Sequence, residues 1–182
     1  AEYDSLSDMV SFGVAPALVI YEWALRDLDK LGWIAAFIYC ACAALRLARF
    51  NTNTEVVDKR FFQGLPSPAA AALVAGLIWV ASDFQVQGID IKWIAWSITL
   101  FAGLTMVSNL PFYSGKEINL RKRMPFFTIL LLLMFFFVLI PSHPPVVVFG
   151  LFSLYALSGY FMKLWIFIRN KKKTEAQEQD AA

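Results

Sequence analysis

Asp4 and Asp8 stand four residues apart, directly ahead of an apolar run from Met9 to Tyr21. On a helix, positions i and i+4 share a face, with β-carbons about 5–6 Å apart. At an effective dielectric of about 20, two bare carboxylates at that distance repel by about 3 kcal/mol. At the mouth of an apolar span each charge is already costly. A divalent cation held by both groups removes the repulsion, and hard cations prefer such oxygen ligands. A second reading is equally open on spacing alone: two solvated acids complementing the dipole of a helix start.

The cationic candidates are Arg46 and Arg49, i and i+3 at the end of another apolar stretch and followed by Phe50 and Asn51. One such arginine is explained by snorkelling to a membrane interface. Two on one face also make a clamp for phosphate or carboxylate. Gln63, Ser67, Asn109 and Ser114 add polar groups in nearby loops. Acids that hold a metal, together with cations that hold anions, describe phosphoryl chemistry. The chain has no GxxxxGK loop to cradle phosphate, so metal and side chains would do the positioning. Its single histidine, His143, is read as a solvent-facing loop residue, which leaves a Ser-His-Asp hydrolase without a base. Cys40 and Cys42 lie two apart in an apolar stretch and read as small buried residues.

The elements that position these groups follow from composition. Of 182 residues, 59% are hydrophobic and 16% charged, with mean hydropathy +0.58. Long uncharged runs at this density predict an all-α polytopic transmembrane bundle of about six spans. These run over 8–25, 33–50, 67–81, 93–110, 124–140 and 146–168, with Trp93 and Trp96 as interfacial anchors. Pro66 and Pro68 suit a helix start, and the string Ala69 to Ala72 with Gly76 permits close helix contact. Residues 1–168 form the membrane part, and 169–182 a basic then polar tail expected to be disordered.

With the N-terminus inside, thirteen Lys and Arg fall on the inner side and only Arg26, Lys30 and Lys92 outside. That bias sets the orientation and gathers Asp4, Asp8, Arg46, Arg49 and both polar loops at the cytoplasmic face. Arg121 to Arg123 and Lys171 to Lys173 read as charges that stop the spans and touch anionic lipid. A small transporter with Asp4 and Asp8 as an ion site is a rival, weakened because the later spans carry almost no ionisable residue before Lys163. A non-catalytic membrane scaffold is a second rival.

The strings AEYDSLSDMVSFGVAPA, LRLARFN, FQGLPSPAAA and SNLPFYSGK occur in this order between residues 1 and 116. They resemble the CDP-alcohol phosphotransferase family, and within it the bacterial branch that makes phosphatidylserine. The family signature reads D, two residues, D-G, two residues, A-R, eight residues, G, three residues, D, three residues, D. Asp4, three residues, Asp8 matches its last part. The resemblance implies transfer of a phosphatidyl group from CDP-diacylglycerol to L-serine with release of CMP, at a Mg²⁺ or Mn²⁺ site of four aspartates. Asp4 would be a metal ligand, and Asp8 a metal ligand and the base that takes the hydroxyl proton. Arg46 and Arg49 would face phosphate or the serine carboxylate. Gln63, Ser67, Ser114 and Lys116 would border the acceptor pocket.

The resemblance further implies a bacterial inner-membrane enzyme with its site on the cytoplasmic face, a homodimer in contact with membrane lipid, and no nucleic-acid partner. Another acceptor alcohol within the family is the nearest rival. The first two aspartates, their glycine and the Ala-Arg pair are absent from these residues. In the family they lie on a preceding helix, which would bring a complete protein to about eight spans. The 182 residues are therefore expected to hold half a metal site and to be inactive alone.

Overall fold

In a computed structural model, residues 2–52, 61–113 and 143–180 are described. They form a helical bundle with one short ribbon. The chain starts as α1 (Glu2–Asp8), widens into a π-helix over Met9–Val14, and returns to α in α2 (Ala15–Ile20). A second π segment, Tyr21–Leu25, and a 3₁₀ turn, Arg26–Leu28, complete this first rod. Asp29, at φ 46°, reverses the chain into α3 (Asp29–Thr52). Tyr3–Thr52 is apolar enough to cross a membrane by length and composition. It folds as a hairpin: Asn51 meets Ser5, Tyr39 meets Phe12, and Ala43 lies against Gly13.

One bond in this hairpin fills a gap that a proline creates. Pro16 has no N–H to offer the Phe12 carbonyl one turn before it. The hydroxyl of the fully buried Tyr39 donates to that carbonyl at 3.0 Å. An unmatched carbonyl in apolar surroundings costs about 1–3 kcal/mol. Tyr39→Phe, which keeps the ring, is therefore expected to lower stability by about that amount. The thermal midpoint in detergent micelles reads the change, and an unshifted midpoint would show that the carbonyl finds another donor.

α4 (Ser67–Asp83) is the central helix, packed by α2 and by the helices Lys92–Val107 and Pro144–Asp180. Its Ala69, Ala70, Leu73, Val74 and Leu77 are buried, so the alanine string does bring backbones close. α5 (Lys92–Val107) crosses α3 with its Gly103 against the Tyr39 backbone, where an added β-carbon would lie 3.1 Å from Tyr39 Cα. α5 stops three residues earlier than expected, because Ser108 turns extended and Pro111 disfavours a helical residue before it. The Ser108 hydroxyl donates to Thr105 O at 2.7 Å at this end. Trp96, expected as an interfacial anchor, sends its indole N–H to Leu31 O at 3.1 Å and so ties α5 to the start of α3.

β1 (Phe61–Gln63) and β2 (Pro111–Tyr113) pair antiparallel, with Phe62 opposite Phe112. This ribbon is not in the all-helical expectation. Three-residue strands give no usable periodicity, and their pairing spans some fifty residues of sequence. It joins the loop after α3 to the loop after α5. Gly64, at φ 78°, leaves the ribbon by donating its N–H to Leu110 O at 2.9 Å.

α6 (Pro144–Asp180) has 37 residues and rises about 55 Å. Among the described residues, Pro144–Trp165 is the second stretch apolar enough to cross a membrane. The helix then continues through the basic and polar residues that the sequence reading leaves disordered. Lys, Glu, Gln and Ala are good helix formers, and extending an existing helix needs no new nucleus. The expected fifth span, 124–140, lies outside the described residues.

The outer surface of the bundle is apolar. Leu18, Trp33, Phe37, Leu104, Leu154 and Phe161 are all exposed. Contiguous exposed apolar surface is what a lipid solvent calls for.

Candidate active site at one end of the bundle

The start of α1, the end of α3, the start of α4 and the end of α5 meet at one end of the bundle. Asp4 and Asp8 sit one turn apart on α1, Asp4 exposed and Asp8 half-buried. The hairpin returns Arg46 and Arg49 to the same level. Arg46 Nη1 donates to the Ser67 hydroxyl at 2.7 Å. Ser67 is 1% exposed and opens α4 directly after Pro66. Among the described residues, Asp8 and Tyr155 lie near enough to act electrostatically on the Arg46 guanidinium. Its Nε is buried, with no hydrogen-bond partner among the described residues.

Arg49 turns instead toward the end of α5. Its Nη1 donates to Val107 O at 3.3 Å and its Nη2 to Asn109 Oδ1. Both arginines are thus held by neutral oxygens. A neutral partner fixes the planar fork without cancelling its charge, so the guanidinium remains available to an anion. Asn51 Nδ2 donates to Ser5 Oγ at 3.0 Å and fastens the end of α3 to α1 beside the aspartates.

The geometry brings Asp8, Arg46 and Ser67 together, with Asp4 one turn outward and Arg49 one turn along α3. Gln63 is exposed on β1, opposite Pro111. Ser114 and Lys116 lie outside the described residues. Tyr155 is the residue that sequence reasoning missed, because nothing local distinguishes it among the aromatics of an apolar helix. Asn109 was legible only as one polar residue in the loop string SNLPFYSGK.

Asp4 and Asp8 are hard oxygen donors on one helix face and suit Mg²⁺ or Mn²⁺. Among the described residues no group of three or more His, Cys, Asp or Glu side chains forms. Two carboxylates supply part of the coordination such a cation takes. His143 is exposed directly ahead of α6. A shallow depression lined by Tyr21, Leu28, Trp33 and Ile34 lies at the hairpin turn, away from these groups.

A helical bundle with an apolar outer face, and with carboxylates and guanidinium groups at one end, is the architecture of a membrane enzyme that handles phosphate esters. The sequence profile of the CDP-alcohol phosphatidyltransferases matches residues 1–104, a stretch that contains Asp4, Asp8, Arg46, Arg49, Gln63 and Ser67. The chain belongs to that family.

Its relatives include the CDP-diacylglycerol–serine O-phosphatidyltransferase of Helicobacter pylori strain 26695, 30% identical over 173 residues. That alignment covers 95% of this chain and 72% of the relative. A protein of the same name from Methanocaldococcus jannaschii is 38% identical over 112 residues, covering 62% of this chain and 48% of its own. One from Mycobacterium leprae is 36% identical over 115 residues, covering 60% and 38%.

Proposed function

We propose that this protein transfers a phosphatidyl group from CDP-diacylglycerol to L-serine, giving phosphatidylserine and CMP. The observation that carries the reading is the meeting of Asp8, Arg46 and Ser67 inside the family-matched region. The relatives named for this reaction supply the acceptor.

In the proposed reaction the serine hydroxyl oxygen attacks the phosphorus that carries diacylglycerol. A new P–O bond forms, and the bond from that phosphorus to the CMP oxygen breaks. Asp8 takes the hydroxyl proton; a positioned base of this kind contributes about 10²–10⁴-fold. Asp4 and Asp8 would hold a divalent cation, which when bound offsets charge on the pyrophosphate and the departing CMP. Arg46 and Arg49 bind the anionic groups of the substrates, phosphate or the serine carboxylate. Ser67 holds Arg46 in place, and Gln63, Ser114 and Lys116 border the acceptor pocket.

We read the apolar runs of the sequence as six spans, with residues 124–140 as the fifth. The membrane part is residues 1–168, and 169–182 extends into the cytoplasm. The positive-inside bias puts the site on the cytoplasmic face of a bacterial inner membrane. Small-residue faces allow a homodimer.

The acceptor is tested with membranes containing the full reading frame, supplied with CDP-diacylglycerol and Mg²⁺ or Mn²⁺. CMP release is expected to depend on L-serine and to be at background with glycerol 3-phosphate. Release driven by glycerol 3-phosphate and not by serine would move the protein to another branch of the family.

A further inference from the structure

We propose that Asn109, in the turn after α5, positions the Arg49 guanidinium for an anionic oxygen of a substrate. The role rests on the transferase reading and adds to it a residue beyond the family-matched stretch 1–104.

Asn109 is an exposed side chain on a pinned backbone. Just before it α5 ends: Ser108 turns extended, its N–H on Leu104 O at 3.1 Å and its hydroxyl on Thr105 O at 2.7 Å. Just after it, the buried Leu110 accepts the Gly64 N–H at 2.9 Å, and Pro111 starts the ribbon. The Leu65 N–H adds a bond to Thr105 O at 3.1 Å. The turn is therefore held by α5 on one side and by the link from β1 to α4 on the other. Arg49 reaches it from α3, sixty residues away in sequence. Its Nη1 donates to Val107 O at 3.3 Å, one of the carbonyls that a helix end leaves without a helical partner. Its Nη2 donates to Asn109 Oδ1.

Two bonds to two different Nη atoms fix both the place and the plane of the guanidinium. One bond alone would let it swivel. The group has five N–H donors. These bonds take two of them, and Arg49 is only half-buried, so its other donors are open to a ligand. The residue type at 109 suits that use. An aspartate of the same shape would also hold the fork, but it would cancel the charge the ligand needs. The amide offers a neutral oxygen and leaves the charge in place. The ligand group is an anionic oxygen, either the serine carboxylate or a phosphate of CDP-diacylglycerol.

Two substitutions, made in the full reading frame, separate positioning from a structural tie. Asn109→Ala removes the amide and is expected to raise one KM about fivefold to tenfold, with kcat within about twofold. Asn109→Asp keeps an oxygen on Arg49 and is expected to raise the same KM about 20-fold or more, with a thermal midpoint no lower than wild type. A mere tie between α3 and α5 predicts an unchanged KM for the aspartate, since an ion pair holds the helices at least as well. A rise in KM for serine identifies the carboxylate, and one for CDP-diacylglycerol the phosphate. In an Arg49→Lys background the Asn109→Ala effect is expected to shrink below about twofold, because it acts through the guanidinium. An unchanged KM in either variant, effects that simply add in the double variant, or a midpoint of Asn109→Asp that falls with its rate overturns the positioning role. If the wild type makes no product from serine, the acceptor reading alone falls. The variants are then compared in the CDP-diacylglycerol concentration that protects them from heat. No difference from wild type, or no protection of the wild type, overturns the role.

Discussion

Asp8→Asn is expected to lower serine-dependent CMP release by about 10³-fold or more while leaving the protein folded. The exchange keeps the shape of the side chain and the α1 helix, and replaces a charged oxygen with a neutral amide. On the proposed mechanism two functions are lost together: a carboxylate that takes a proton, and one of two oxygen ligands on the α1 face. Loss of a general base alone accounts for about 10²–10⁴-fold. The half-buried side chain faces Arg46 without forming an ion pair among the described residues, so its removal costs little packing. CMP release in membranes and the thermal midpoint in micelles separate the two outcomes. Near-normal release from Asp8→Asn would remove Asp8 from the chemistry and revive the reading of a dipole-compensating helix start. That result would also favour the scaffold rival.

Gly64→Ala is expected to cost about 3–5 kcal/mol, at the upper end of what single substitutions do. Two independent reasons add. The backbone at φ 78° lies in the left-handed region, where a side chain costs about 1–2 kcal/mol. A β-carbon there would sit 2.2 Å from Met106 O, a backbone atom that no rotamer change can move aside. Relief requires the ribbon to separate from the end of α5, breaking the bonds from Gly64 N to Leu110 O and from Leu65 N to Thr105 O. Because Ser67 and Asn109 flank this junction, the variant should lose thermal stability and transferase rate together. A protein of unchanged midpoint would show that the ribbon has slack, and that the closeness of Gly64 to Met106 is not a constraint.

The helices were legible because span length and apolar runs are local properties. The α4 start at Ser67 follows from Pro66 and Pro68, and its buried alanines from the Ala69 to Ala72 string. The gathering of Asp8 with Arg46 was legible at coarse grain, since charge bias alone places both on one side of the bilayer. What sequence could not supply was the particular partner. That Arg46 reaches Ser67, and Arg49 the end of α5, depends on how α3, α4 and α5 rotate against one another. Helical periodicity is silent on that when every face is apolar. The ribbon and Tyr155 were hidden for related reasons: one is too short to have a period, the other is one aromatic among many. α6 runs on to Asp180 through Lys, Glu, Gln and Ala, residue types that favour helix although their hydropathy is low.

The two π segments of the first rod set the phase of the site. Each π turn takes in one residue more than an α turn, so everything beyond it is rotated by about 100° relative to a regular helix. The carboxylates of α1 and the buried stripe of Ala17, Ile20 and Ala24 are therefore out of step on a single helical wheel. One rod can present Asp8 to Arg46 at its open end and still bury Ile20 against the core below. The π turn at Met9–Val14 works as a one-residue indexing step between the chemistry and the packing.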